Sequence, residues 1–158
     1  MNNNDILRRI CYIFDFNESK IVSVCSLADF KVPQDLVSGW LKNKGDPDFQ
    51  ECRDIQLVFF LNGLINDRRG KKEGPLPTPE RHINNNIILK KLKIALDLKA
   101  DDILEILELA DLHMSKHELS AFFRKPGHKH YRDCKDPNLL GFLNGVQLKY
   151  RDNKYGKQ

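Results

Sequence analysis

The chain has little glycine or proline, 9 and 7 residues among 158, and this excludes collagen-like and low-complexity proteins. Hydrophobic residues at 41% and charged residues at 30% are typical of a folded globular protein. No apolar run reaches the ~18 residues of a membrane helix, and the first residues lack the basic and apolar regions of a secretion signal. We therefore expect a cytoplasmic protein that does not bind membranes.

Catalytic signatures are also missing. The chain contains no glycine-rich phosphate loop, no Cys-x-x-Cys pair, no nucleophile elbow and no His-Glu-x-x-His motif. Its four cysteines lie far apart, and in a reducing compartment such thiols are typically small buried groups rather than disulfide partners: Cys11, Cys25, Cys52 and Cys134. These absences predict a protein that is not an enzyme and has no cofactor.

What the chain does contain is an internal repeat. Residues 2–9 recur at 84–91, and the Phe-Leu-Asn-Gly box at 60–63 recurs at 142–145, both at an offset of 82 residues and without a gap. Such a long register indicates duplication rather than chance. We predict a first repeat at residues 1–70, a linker with proline and glycine at 71–82, and a second repeat at 83–158.

Within each repeat the apolar residues recur with the period of a helix, and nothing alternates with the period of a strand. Asparagines at the start of each repeat, a capping box at Ser115 and an N-cap aspartate before Pro137 are helix-start signals. The second helices are predicted over 20–29 and 101–111. We expect an all-α protein with two homologous four-helix repeats packed about a pseudo-twofold axis, and Trp40 and Phe122 in equivalent buried positions.

A family resemblance rests on three segments: the asparagine-rich opening, the Phe-Leu-Asn-Gly box and residues 118–129. Together they resemble the YehS-like family of uncharacterised bacterial cytoplasmic proteins, and the resemblance covers both repeats. It implies a duplicated helical domain of unknown function. It assigns no catalytic or binding residue to this chain.

Each repeat also carries a segment with the apolar spacing of a helix-turn-helix, from its second helix into its third. Lys31 and His113 occupy the turn position where glycine is usual. The spacing fits a DNA-reading unit. Any two short antiparallel helices need similar apolar spacing, however, so a packed helical hairpin without nucleic-acid contact is the favoured interpretation. The residues concerned are Leu27, Phe30, Val32, Val37 and Trp40, and Leu109, Leu112, Met114, Leu119 and Phe122.

The two repeats differ in net charge. Residues 1–70 contain nine basic and ten acidic side chains, whereas residues 83–158 contain fourteen basic and ten acidic ones. Cations grouped with an aromatic ring favour binding to phosphates and a stacked base, although they are also typical of a solvated loop. We predict a non-enzymatic nucleic-acid-binding or regulatory module with these candidate residues: Lys116, Arg124, Lys125, His128, Lys129, His130, Tyr131 and Arg132.

The repeated Asn-Gly pairs form a second candidate site, Asn62 with Gly63 and Asn144 with Gly145. Glycine inside a long helix costs about 1 kcal/mol relative to alanine, so a packing or functional reason is expected. One interpretation is a close helix crossing. The other is a polar cleft between the repeats, and a helical protein-interaction adaptor that uses the groove between the repeats is the alternative function.

Zinc-type ligands occur in the second repeat, but their pattern is weak. They are His113, His117, His128, His130 and Cys134. Only the cysteine recurs in the first repeat, where Lys31, Asp35, Asp46 and Asp48 align with the histidines. We therefore predict no metal site.

Overall fold

The structure is a computed structural model that describes residues 1–153. These residues form eight α-helices and no β-strand, which confirms the all-α fold. A π-helical turn at Leu148–Asp152 extends the last helix. Among the described residues, none of the helices has the length and apolar content that a membrane span requires. The helices are α1 (Asn3–Phe14), α2 (Glu18–Ser26), α3 (Gln34–Trp40), α4 (Asp54–Arg69), α5 (Asn85–Ala95), α6 (Ala100–Leu109), α7 (Lys116–Ala121) and α8 (Asp136–Gln147).

The helix-start signals act as expected at three places. The side chains of Asn2 and Asn84 accept the backbone N–H groups of the third helical residues of α1 and α5, at 2.8 and 2.9 Å. Ser115 and Glu118 form the capping box of α7. The fourth helix differs by one position, because Lys135 is the N-cap of α8 and Asp136 is its first residue. The predicted N-cap role of Asp136 is therefore wrong, and its carboxylate instead opposes the helix dipole in the first turn.

The second helices end earlier than predicted, at Ser26 and Leu109 rather than at 29 and 111. The cause is a left-handed aspartate, Asp29 at φ 60° and Asp111 at φ 58°. The amide of the residue that follows the aspartate bonds back to the last helical turn, as the Phe30 amide does to the Cys25 carbonyl at 3.1 Å. Aspartate tolerates this conformation better than most residues, so it can occupy the position where glycine is common at helix ends.

Trp40 and Phe122 occupy equivalent buried positions, with exposed fractions of 0% and 8%. The prediction for this pair is confirmed. Leu109 is an exception among the expected core residues, because 51% of it is exposed. It is the last residue of α6, and its side chain lies at the mouth of a groove instead of in the core.

The helices divide into two compact units, one comprising Met1–Ile83 and the other beginning at Asn84. The linker therefore packs with the first unit. Its Lys71 ammonium lies 3.7 Å from the Asp29 carboxylate, and the Ile83 amide donates to the Asp54 carboxylate at 3.1 Å. The predicted boundaries at residues 70 and 83 and the pseudo-twofold packing of the repeats stay predictions.

Candidate functional site

Most of the predicted nucleic-acid-binding residues lie on one loop, residues 124–132, which we call the basic loop. Asn86, buried near the start of α5, holds it. Its amide nitrogen donates to the carbonyls of Phe122 at 3.0 Å and Arg132 at 2.8 Å, and its oxygen accepts the Cys134 amide at 2.9 Å. One side chain thus fixes both ends of the loop, and the Arg132 amide closes it on the Ala121 carbonyl at 3.2 Å.

The first repeat contains the same loop at residues 42–50, which we call the first-repeat loop. Asn4 holds it by bonds to the carbonyls of Trp40 at 3.1 Å and Gln50 at 2.9 Å, and accepts the Cys52 amide at 2.9 Å. The turns inside the two loops also match. The Asp48 amide donates to the Asp46 carboxylate, and at the aligned positions the His130 amide donates to Nδ1 of His128.

The two loops differ in the charge that they carry. In the basic loop Arg124, Lys125, Lys129 and Arg132 are exposed, and none of the four forms an ion pair within residues 1–153. The positions that align with them hold Lys42, Asn43, Pro47 and Gln50. The structure therefore presents the excess cations of the second repeat together, on a loop whose backbone is fixed.

The remaining candidates differ in their surroundings. Lys116, in the first turn of α7, lies 3.4 Å from the Asp101 carboxylate, and both side chains are exposed. Tyr131 is half-buried; burial, together with the neighbouring Asp133, raises its pKa. The rings of His128 and His130 are exposed, with centroids 5.5 Å apart. The loop thus offers cations and imidazoles to solvent, with one partly shielded phenol.

The third helices are short and their connections long for a DNA-reading helix-turn-helix. Residues 27–33 separate α2 from α3, and residues 110–115 separate α6 from α7, whereas the motif usually has a turn of about three to four residues. The left-handed turn residues are Asp29 and Asp111 rather than Lys31 and His113. The two interpretations of these segments, a DNA-reading unit and a packed helical hairpin, both stay predictions.

The Asn-Gly pairs lie at a close helix crossing within each unit. A Cβ at Gly63 would overlap the Val24 carbonyl of α2, and a Cβ at Gly145 would overlap the Ile106 carbonyl of α6. This agrees with the interpretation of glycine as the residue that permits close approach. The cleft between the repeats, to which Asn62 and Asn144 would contribute, stays a prediction.

In the part of the chain that the structure describes, no three His, Cys, Asp or Glu side chains are placed to hold an ion together. The four thiols are buried instead. Burial raises the pKa of Cys25 and Cys52 to about 12 and that of Cys134 to about 11, and it raises the pKa of Cys11 as well. These thiols are therefore neutral and unreactive in the folded protein.

The asparagine run has two functions beyond helix capping that the sequence analysis did not predict. Asn4 and Asn86 hold the two loops, and the second function belongs to Asn3 and Asn85. Asn3 donates to the Cys52 carbonyl at 3.0 Å and the Asp54 carboxylate at 2.8 Å, and Asn85 repeats this with Cys134 and Asp136 at 2.9 and 2.7 Å. The hydrogen bond from Asn85 lowers the pKa of Asp136. The available signal was the run itself, because an N-cap needs only one of its three asparagines.

An all-α chain with two copies of a loop held by asparagine belongs to the class of tandem helical-repeat proteins. A family model described as "Protein of unknown function (DUF1456)" matches it twice, at residues 3–70 and 85–152, and the chain belongs to this family. It is similar to "Uncharacterized protein YehS" of Escherichia coli (strain K12), with 43% identity over 155 residues, which cover 98% of this chain and 99% of the relative. No solved structure matches.

Proposed function

We propose that the second repeat binds nucleic acid without an enzymatic step, and that the basic loop makes the principal contacts to phosphates. The observation that carries the proposal is the exposure of Arg124, Lys125, Lys129 and Arg132 on a loop whose ends are fixed by Asn86. None of these cations has an ion-pair partner in residues 1–153, so none has to break a pair to meet a phosphate.

The fixed backbone supports the proposal energetically. Each long cationic side chain that binding immobilises costs about 0.5–1.5 kcal/mol, and a flexible loop would add the cost of ordering its backbone. In the basic loop that backbone is already ordered by hydrogen bonds from Asn86 and by the turn at His128, whose carbonyl accepts the Tyr131 amide at 2.9 Å. The loop therefore binds with its shape already formed.

Such a loop recognises phosphates and not a base sequence. Contacts to phosphates carry no sequence information, and α7, with six residues, presents little surface to a groove. We expect binding to single strands and duplexes alike, with an affinity that depends steeply on salt. A regulatory role would then depend on whether the protein is bound to nucleic acid and not on recognition of an operator sequence.

The test is the salt dependence of binding to fluorescein-labelled 20-nucleotide single-stranded and duplex DNA, measured by anisotropy. Replacing Arg124, Lys125 and Lys129 with alanine should reduce the slope of log affinity against log salt by roughly 2–3 on duplex DNA. The matched control replaces Lys31, Lys42 and Lys44 of the first repeat, which removes the same charge and should change the slope by less than about 1.

Equal effects of the two triple variants would assign binding to net charge instead of to the basic loop. Absence of binding by the unaltered protein at low salt would refute the proposal. In that case the adaptor that uses the groove between the repeats would be the function to test next.

A further inference from the structure

The cation in the middle of α1 is neutralised in the first repeat and joins that helix to the first-repeat loop. One guanidinium nitrogen of Arg8 donates to the Lys42 carbonyl at 3.1 Å and to the side-chain oxygen of Asn43 at 3.4 Å. Another donates to the carboxylate of Asp5, one turn earlier on the same helix, at 2.7 Å. The charge of Arg8 is therefore balanced within its own repeat.

The second repeat keeps a cation at this position and loses both of its side-chain partners. Lys90 aligns with Arg8, whereas Ile87 and Lys125 align with Asp5 and Asn43. An apolar side chain thus replaces the carboxylate, and a second cation replaces the acceptor on the loop. Lys90 is exposed and forms no ion pair within residues 1–153. These differences free the charge of Lys90 instead of removing it.

Lys90 belongs to a stripe on α5 that lies beside the basic loop. Asn86, Lys90 and Lys93 are four and three residues apart, so they share one face of the helix. Asn86 holds both ends of the basic loop. Lys93 places its ammonium 5.8 Å from the centroid of the Phe123 ring, one residue before the loop, and an aromatic face attracts a cation at this distance. The stripe therefore brings two lysines of α5 to the start of the basic loop.

The first repeat has no equivalent of this group of cations. The position of Lys93 is taken there by Cys11, which is buried. In the second repeat Lys90, Lys93 and Lys125 have no ion-pair partner within residues 1–153. Like charges on neighbouring positions of a helix destabilise it, and an anion bound between them removes this repulsion. The arrangement therefore favours an anionic ligand.

We propose that Lys90, Lys93 and Lys125, together called the lysine cluster, bind phosphates of a nucleic-acid backbone. The proposal rests on the binding of nucleic acid by the basic loop, and it extends that binding surface onto α5. Lysine suits this role because its ammonium is a compact charge with three rotatable donors and binds phosphate without a fixed geometry. A bound strand then contacts α5 as well as the basic loop.

The first test removes the two lysines of α5. Lys90→Ala together with Lys93→Ala should reduce the slope of log affinity against log salt by roughly 2 on fluorescein-labelled duplex DNA, measured by anisotropy. The matched control replaces Lys99 and Lys149, two exposed cations on other elements of the same repeat, and should change the slope by less than about 0.5. Circular dichroism checks that each variant folds.

The second test restores the carboxylate of the first repeat without removing a cation. Ile87→Asp places an acid three residues before Lys90, as Asp5 stands before Arg8, and should weaken DNA binding by about 2–5-fold at low salt. Leu140→Asp is the control, because it adds the same charge at an exposed apolar residue of α8, and its effect should be smaller. In a Lys90→Ala background, Ile87→Asp should have no more effect than this control.

The outcomes separate this proposal from the function on which it rests. If the triple variant of the basic loop lowers the slope but the Lys90 and Lys93 variant behaves like its control, the lysine cluster is not a phosphate site and the proposed function stands. If the unaltered protein does not bind DNA at low salt, both are wrong. If inorganic phosphate saturates NMR shifts at the lysine cluster while the Lys90 and Lys93 variant binds DNA normally, the ligand is free phosphate and the proposal is overturned.

Discussion

The basic loop and the first-repeat loop share the same backbone hydrogen bonds but differ in their exposed side chains. Asn4 and Asn86 make the same three hydrogen bonds, and the turns inside the loops use the same positions. The exposed side chains share almost nothing, since Asp46 and Asp48 stand where the second repeat has His128 and His130. The buried asparagine therefore sets the loop's shape, and the exposed positions of the loop can vary without changing that shape.

The largest effect is expected at the largest fully buried side chain of the first repeat, Trp40. Trp40→Ala should destabilise the first repeat by about 3–5 kcal/mol because the indole is fully buried. Trp40→Phe should cost less than about 1 kcal/mol, because Trp40 Nε1 is buried without a hydrogen-bond partner in the structure and the second repeat already uses Phe122 there. Urea unfolding followed by circular dichroism measures both, and a loss above 3 kcal/mol for Trp40→Phe would contradict the equivalence.

Replacing Asn4 or Asn86 tests whether the two asparagines stabilise their loops equally. Asn4→Ala and Asn86→Ala should each cost about 3 kcal/mol, since each leaves three backbone groups without their partner. Asn86→Ala should in addition weaken nucleic-acid binding, whereas Asn4→Ala should leave it unchanged as long as the protein is folded. Thermal unfolding and anisotropy at one fixed salt concentration separate the two effects. Equal losses of binding from the two variants would show that the loss follows general destabilisation and not the release of the basic loop.

The thiols should make the first repeat the more alkali-sensitive one. A thiol whose pKa is raised by folding stabilises the protein fully below the unfolded pKa of about 9, and this stability is lost as the pH rises towards the folded pKa of about 11 to 12. The first repeat has three such thiols and the second has one. Between pH 8 and 9.5 we expect a loss of about 2 kcal/mol from the first repeat, measured by urea unfolding with Trp40 fluorescence.

The control replaces Cys11, Cys25 and Cys52 with alanine, which removes the thiol contribution and leaves the other titrating groups in place. The pH dependence between 8 and 9.5 should then become shallower. An unchanged dependence would assign the alkaline loss to lysines and tyrosines.

The smallest effect is expected at the helix crossings. Gly63→Ala and Gly145→Ala should destabilise by about 1 kcal/mol or more, because the overlap with a backbone carbonyl exceeds the gain in helix propensity. Gly141→Ala in α8 is the control, since its Cβ would meet only the flexible end of Leu112 at 2.8 Å. It should be neutral or stabilising in chemical denaturation. Stabilisation by all three would contradict the close crossing.

The duplication and the helices could be predicted because both produce recognisable sequence patterns. The register of 82 residues identifies the repeats, and caps such as Ser115 and Asn84 identify helix starts within a few residues. The ends of α2 and α6 could not be predicted, because an aspartate in the left-handed conformation looks like any other aspartate in sequence.

The candidate site was only half predictable for a different reason. The cations of the basic loop are visible as a run of sequence from 124 to 132. The asparagine that shapes the loop lies 36 to 48 residues away from its partners, and those partners are backbone groups that carry no sequence signal. The exposure of Leu109 was not predicted for a similar reason. The helical period shows that Leu109 lies on the apolar face of its helix, but it does not show whether another part of the chain packs on that face.

The close helix crossing also determines how the protein ages chemically. An asparagine followed by glycine deamidates readily in a flexible chain, because the unhindered glycine amide can attack the asparagine side chain and form a succinimide. At Asn62-Gly63 and Asn144-Gly145 that attack is prevented, since both pairs lie inside helices and each glycine is pressed against the carbonyl of a second helix. Succinimide formation at these two sites therefore requires local unfolding, and the isoaspartate that accumulates on storage records how long each repeat has spent open.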